Sequence, residues 1–435
     1  MSAIISTLVC LLLSITSLKI CKKWLNPVAA FSSLWMVIFF LSSLSLYNLK
    51  EIAESTYWVL LFGVISFAFG FYIWLSIKKK YKFRKLIDHK NKINIQYEPR
   101  YLLLYLFGVI VILYNSSNLI IPLKLIINGS GLDVIRNMAQ NTNRSTSGTL
   151  LNVINNLIIS PFTFALLPIT AMDIVLGKRD KKLLVLTGVI IISKLLSDGG
   201  RVQILYFGIH IFVAFIIGTN KKKINLDILR SRKNKRMFIS AVIILGILII
   251  VTSLSRAGDN LLIFTYYYFS MQPVMFEQWS IETGKLLGFG VASLNGIIFP
   301  FLYLIKNLFK LSYPNHFYSI FELIQKTDNQ WKIIAGQNIK ANAYVSLFWF
   351  FYTDARILGI GLYSFIYGAF CGGNYADVLK NNNVKVLSIY AYILQGVIFS
   401  FVRFQFATMA YALGFIYLCF FGYSRKQRMM YNEQK

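Results

Sequence analysis

Apolar residues in this chain come in long blocks separated by short polar stretches, many of them basic. A helix needs about 20 apolar residues to cross roughly 30 Å of hydrocarbon, and blocks of that order lie at about 2–18, 27–46, 57–77, 101–121, 151–172, 183–197, 202–218, 237–253, 345–370, 386–400 and 405–422. Period-two alternation is absent, so the backbone groups of each block must be satisfied within a helix rather than around a barrel. The pattern predicts an all-α, polytopic integral membrane protein with about 11 transmembrane helices (range about 10–13), residues 1–435 forming a single membrane domain.

Two stretches interrupt the rhythm of short connections. One is 122–150, rich in Asn, Ser, Thr and Gly; the other is 254–343, with aromatic and apolar sections and few strong charges. Long loops in compact proteins usually carry function. Inside the second, 260–279 and 286–309 are apolar enough to enter a membrane. Their link, 280–285, lacks the basic excess of a cytoplasmic loop, so these segments are expected to be interfacial or re-entrant helices. Tyr266, Tyr267, Tyr268 and Trp279 suit a membrane interface, and with Trp331 and Tyr344 they also suit stacking on sugar rings.

Composition changes the picture mainly through charge. The chain is 56% hydrophobic and 14% charged, with mean hydropathy +0.59, far from a soluble domain. A formal charge of +28 would fit a nucleic-acid binder only if a polar domain with a basic face existed, and none is present. The charge instead follows topology. With the N-terminus outside, the segments 19–26, 78–100, 177–182, 219–236, 372–386 and the tail after 422 hold two thirds of the 45 Lys and Arg. That bias places them in the cytoplasm, C-terminus included, and the basic runs beside anionic lipid. The first 18 residues have no basic n-region and no clear cleavage site, so a retained helix is expected. The four cysteines, in or beside apolar blocks, are expected to be packing residues rather than a disulfide framework.

Against that background the outer charges stand out. Arg201 follows Gly199 and Gly200 in a tight outer turn, Arg256 follows the eighth span, and Arg403 lies in the last outer turn. The glycines let the backbone turn sharply or approach a ligand. Arg201 alone could equally be a snorkelling partner of Asp198. Three guanidinium forks on one side suit phosphate or pyrophosphate oxygens at the outer leaflet. His316 is the only histidine on that side, a group that titrates near neutrality. Glu277, in the apolar stretch 273–279, is a second candidate acid or base, with Asp259, Glu282 and Asp354 as further outer acids. His89, His210 and His316 lie in three different places, so no metal site is expected. Nor is there a nucleotide-binding glycine loop, and no cofactor is expected.

These features, in this order, resemble the O-antigen polymerase (Wzy) family. The resemblance rests on Gly199-Gly200-Arg201 at a helix hairpin, Ser255-Arg256-Ala257-Gly258 after the next span, the long outer loop, Asn342-Ala343-Tyr344, and the stretch from Phe351 to Gly361 around Asp354. Similar proteins carry a Tyr-x-Asp-Phe-Gly-like stretch there; this chain has Ala355-Arg356 after the aspartate, and Val345 where a threonine is common. The resemblance implies a glycosyltransferase in the cytoplasmic (inner) membrane that polymerises lipid-linked oligosaccharide repeat units on its outer face. Its partners would be undecaprenyl pyrophosphate-linked donor and acceptor, membrane lipid and a chain-length regulator protein. Arg201, Arg256, Arg403, Gly199, Gly200, Asn342, Tyr344 and Asp354 would bind pyrophosphate and glycan, with His316 and Glu277 catalytic. A ligase handing the glycan to another acceptor would share the outer arginines and long loop, whereas a flippase for the lipid-linked unit, the third alternative, predicts charges along a central cavity and even short loops.

Overall fold

The computed structural model describes residues 1–23, 25–85, 95–128, 150–198, 202–220, 261–336, 338–380 and 383–427. In chain order it gives α1 (Ser2–Cys21), α2 (Pro27–Ser43), α3 (Glu54–Lys85), strand β1 (Ile95–Pro99), α4 (Tyr101–Ser117), α5 (Ile120–Ile127) and α6 (Leu150–Ile154). A π-helical turn, Asn155–Ile159, leads from α6 into α7 (Ser160–Leu176), followed by α8 (Lys181–Asp198) and α9 (Val202–Asn220). Then come α10 (Leu261–Ser270), α11 (Gln272–Thr283), α12 (Asn295–Phe309), α13 (Asn315–Asn329), β2 (Lys332–Ala335), β3 (Ile339–Ala341), α14 (Ser346–Lys380), α15 (Val384–Ile398), α16 (Met409–Phe420) and β4 (Tyr423–Gln427).

The fold is predominantly α-helical, and the apolar blocks that fall among the described residues coincide with helices; 237–253 lies outside them. Five helical segments are long and apolar enough to cross a membrane: Ser2–Cys21, Glu54–Lys78, Leu151–Leu176, Ser346–Lys380 and Val384–Phe401. Burial is inverted in the way lipid requires. In α1 the buried positions are Ser2, Ala3, Ser6, Cys10, Ser14 and Ser17, while Ile4, Leu8, Leu11, Leu12 and Ile15 are exposed. In water that arrangement would be unfavourable; in hydrocarbon, small residues at helical spacing let a neighbouring helix approach and leave the large apolar side chains to lipid. Helix α2 is that neighbour. Ser14 and Ser33 hydroxyls meet at 2.8 Å, and Asn26 caps α2 by accepting from Ala29 N–H at 2.8 Å while taking the Ser17 hydroxyl at 2.5 Å. Pro27 at the first helical position completes the start.

The contacts group into two units. One comprises Met1–Lys80, Asp259–Asp377 and Ile393–Leu413; the other comprises Tyr81–Gly258, Val378–Tyr392 and Gly414–Lys435. In the first, α3 and α14 touch backbone to backbone. A Cβ at Gly70 would overlap the carbonyl of Phe365, and one at Gly368 the carbonyl of Phe67, so only glycine permits this approach. Around it pack Phe31, Trp35, Phe67 and Phe348, with Phe31 and Phe67 ring centres 4.3 Å apart.

In the second unit β1 and β4 form an antiparallel ribbon, Ile95 opposite Gln427 and Pro99 opposite Tyr423. Beside it Lys178 reaches Glu98 at 2.8 Å, and Lys385 lies 5.1 Å from the Tyr97 ring centre. The hydrogen bond from Lys178 holds the Glu98 carboxyl below its ordinary range; one from the Tyr105 hydroxyl does the same for Asp180. These contacts join segments all expected on one side: 78–100, 177–182, 372–386 and the tail. Contacts in the first unit likewise join segments expected together on the other side. Met1 pairs with Glu54 at 3.2 Å, Lys50 N–H donates to Ile334 at 2.9 Å, and Arg403 pairs with Asp328.

The expected interfacial pair takes a definite form. The 260–279 stretch is broken between α10 and α11 at Met271, just before Pro273, and α12 has only 15 residues. Each piece is shorter than a span. Tyr266 and Tyr267 are buried rather than interfacial, because their hydroxyls hold the turn after α2. Tyr266 donates to Leu41 carbonyl and accepts from Leu46 N–H, both at 2.9 Å, and Tyr267 donates to Tyr47 carbonyl at 2.7 Å. That turn needs holding: Ser45, Tyr47 and Asn48 have φ of 44°, 53° and 58°. Trp279 is also fully buried, its ring 6.4 Å from Trp349 and 4.6 Å from the Lys332 ammonium.

Candidate functional site

The loop between α10 and α14 folds on itself through α13. This helix buries Phe317, Ile320, Leu323, Ile324 and Thr327, an apolar stripe at helical spacing, and ends at Asn329. Its last turn is gathered in by the segment after β3. Asn342 donates its amide to Asp328 carbonyl at 2.6 Å and Ala343 N–H donates to Thr327 carbonyl at 2.8 Å, satisfying two carbonyls that the helix end leaves open. Ala343 and Ser346 have φ of 65° and 64°, uncommon for residues with a Cβ. Those two left-handed positions fold the segment tightly enough for Ser346 N–H to reach Val402 carbonyl at 3.1 Å.

This crossing brings in Arg403. Its guanidinium grips the Asp328 carboxylate with both terminal nitrogens, one bond at 3.1 Å and the other between Nη2 and Oδ1. The arginine side chain is 17% exposed and the aspartate 41%, so the carboxylate remains reachable from solvent. Tyr344, two residues after Asn342, has its ring 5.5 Å from Tyr268 and 6.1 Å from Phe401. Arg403 and Asn342, from distant stretches of sequence, thus both bond Asp328, one at its carboxylate and the other at its backbone carbonyl. Asp328 is the residue sequence reasoning passed over. Its only signal is a position at the end of the period-3.6 apolar stripe from Phe317 to Thr327, which reads as an ordinary polar helix terminus.

Asp354 is held elsewhere and differently. It is fully buried, its two oxygens accepting Ala292 N–H at 2.8 Å and Ser293 N–H at 2.9 Å. Gly288 N–H donates to Thr353 carbonyl and Phe289 N–H to Asp354 carbonyl, at 2.8 and 3.0 Å. The carboxylate is therefore spent on fastening the turn before α12. Arg356, two residues on, has φ 55° and ψ −140°, a conformation natural for glycine. Here the side chain compensates, donating to the carbonyls of Gly284 and Leu286 at 2.5 and 2.8 Å and lying 5.0 Å from the Tyr352 ring centre.

Of the remaining candidates, Glu277 is half-buried on α11 and accepts Ala53 N–H at 3.1 Å. His316 is exposed in the first turn of α13, 5.9 Å from the Phe289 ring centre. Neither makes a described contact with the Arg403–Asp328 pair. Gly199, Gly200, Arg201, Arg256 and Asp259 lie outside the described residues. Among the described residues no three His, Cys, Asp or Glu side chains gather as a metal site. None of the four cysteines forms a disulfide. No family model, no curated protein and no solved structure matches this chain.

Proposed function

We propose that the chain crosses the cytoplasmic membrane about 11 times, N-terminus outside and C-terminus inside, and polymerises lipid-linked oligosaccharide repeat units on the outer face. The observation that carries this reading is the Asp328 carboxylate held by Arg403, with Asn342 on the backbone carbonyl of the same aspartate. The reaction breaks the bond between a donor sugar's anomeric carbon and its pyrophosphate, and forms one to a hydroxyl of the acceptor unit. The hydroxyl's proton must leave as the new bond forms, and the pyrophosphate gains charge. A half-exposed carboxylate fixed by a guanidinium provides an acceptor for that proton, and the guanidinium beside it provides cationic charge near the leaving group. Tyr344 and Tyr268 offer ring faces to a sugar. Arg201 and Arg256 would supply further charge to the pyrophosphates, and undecaprenyl carriers would bring donor and acceptor to the same leaflet.

The test is purified protein in lipid with an authentic undecaprenyl pyrophosphate-linked repeat unit, its products resolved by length. A ladder spaced by one repeat is expected, with Arg403→Ala and Asp328→Asn each lowering its rate by about 10²-fold, the order seen when one preorganised charge partner is lost. Arg403→Lys should rescue poorly, since an ammonium cannot form the fork. Absence of a ladder with intact substrate, alongside transfer to a different acceptor or movement of the unit across vesicles, would replace this reading by a ligase or a flippase.

A further inference from the structure

A second basic feature shares no residue with the Arg403–Asp328 pair. Where α12 ends and α13 begins, an open groove of about 670 Å³ is lined by Lys306, Asn307, Lys310, Leu311, Ser312, Tyr313, Asn315 and Tyr318. Lys310 ends α12 in a left-handed conformation, φ 54°, turning the chain toward α13. Lys306 sits 4.5 Å from the Tyr313 ring centre. The sequence is free of Asp and Glu from Thr283 to Phe321, and the first acid beyond, Glu322, is taken by Lys326 at 3.0 Å. The groove is therefore cationic with no carboxylate from its own hairpin to neutralise it.

Its rim is apolar. Leu308, Phe309 and Leu311 are 72%, 68% and 56% exposed, alternating along the chain with the two lysines. Inside the hairpin, Phe299, Phe317 and Phe321 stack, Phe299 and Phe321 at 4.6 Å, so the exposed apolar residues are surplus to its own core. A helix of 15 residues is about 22 Å long, too short to cross the hydrocarbon. Apolar side chains interleaved with lysines on such a helix suit the headgroup boundary, tails below and phosphates at ammonium height. Lysine is a compact point charge, and here it lacks the planar fork of the arginine site; that favours a single phosphodiester over a polyanion.

We propose that this groove seats the phosphate of an anionic phospholipid from the surrounding leaflet, with Leu308, Phe309 and Leu311 against its acyl chains, pinning the α12–α13 hairpin to the membrane surface. The inference does not depend on the polymerase reading. It is tested on the full-length protein in nanodiscs, with bimane attached at Leu308→Cys and the signal of identically treated protein lacking that substitution subtracted. Brominated phosphatidylglycerol and brominated phosphatidylcholine are compared as quenchers at equal mole fraction. Quenching by the anionic lipid is expected to exceed that by the zwitterionic one at least about twofold, each lysine near an anionic surface contributing up to about fivefold in local affinity. Lys306→Gln with Lys310→Gln should bring the ratio to one, and Lys306→Arg with Lys310→Arg should keep it. Label at Phe309→Cys provides a second reporter if the first disturbs the tip. No quenching by either lipid, a ratio of one with both lysines present, or a ratio unchanged by the glutamines would overturn the proposal. Loss of the preference on adding one equivalent of a polyprenyl pyrophosphate would also overturn it, by giving the groove to substrate.

Discussion

Replacing Asp354 by alanine should unfold part of the protein. The carboxylate is fully buried and its two oxygens receive the N–H groups of Ala292 and Ser293, at 2.8 and 2.9 Å. Removal leaves two buried donors without partners, each costing about 1–3 kcal/mol, or about 2–6 kcal/mol together. The space vacated gives back little, because Gly288 lies directly against the same carboxylate and its backbone is held by the carbonyl of Thr353. Asp354→Asn should cost roughly half, since one acceptor oxygen remains while the amide's own N–H group faces a second donor. The measurement is unfolding in mixed detergent micelles, followed by loss of the monodisperse peak, for wild type, Asp354→Ala, Asp354→Asn and Gly288→Ala. Gly288→Ala should resemble Asp354→Ala, because its Cβ would displace the carboxylate. Full wild-type stability of Asp354→Ala with loss of glycan synthesis would refute the reasoning and return Asp354 to the substrate site.

Three further outcomes follow from other contacts. Gly368→Leu should destabilise the first unit by at least about 1–3 kcal/mol, the usual cost of overpacking, since its side chain would enter the Phe67 backbone; unchanged detergent stability would contradict the backbone contact. Asn26→Ala should cost about 0.5–2 kcal/mol by removing the cap of α2, and Asn26→Ser should recover much of it in the same unfolding assay. Glu98 and Asp180 have folded-state pKa values below their ordinary ones, so the stability they contribute is complete above the ordinary carboxylate range. It is lost as pH falls from about 4 through their depressed values. Glu98→Gln should flatten that acid limb in a stability-against-pH series, whereas an acid limb identical to wild type would remove Glu98 from the account.

The membrane helices were legible because lipid imposes a length, and sequence records length directly. The basic excess groups 78–100 with 177–182, and the structure has Lys178 reaching Glu98. What escaped depended on partners far away. The Tyr266 and Tyr267 rings read as interfacial from composition, yet their hydroxyls serve a strained turn more than two hundred residues earlier. Trp279 reads the same way and is buried by Trp349. Arg403 stands out in the sequence as an outer charge, but the acid it pairs with does not, since an aspartate at a helix terminus carries no mark of the arginine it will meet. Asp354 shows the opposite difficulty, a residue whose motif points to ligand and whose oxygens go to backbone.

The β1–β4 ribbon has a consequence for biogenesis. Residues 95–99 are inserted or released early, and their hydrogen-bonding partners, 423–427, leave the ribosome more than three hundred residues later. Until then one edge of β1 has no mate, and closing so long a loop carries an entropic cost that local helix pairing does not. The ribbon is thus a completion seal. A chain interrupted anywhere before Tyr423 would leave an open strand edge within reach of chaperones and proteases, and pairing with 423–427 would hide it. Fusions placed directly after Gln427 should therefore be chosen to leave the pairing intact, and pulse-chase protection of the 95–99 segment should report the moment at which the ribbon closes.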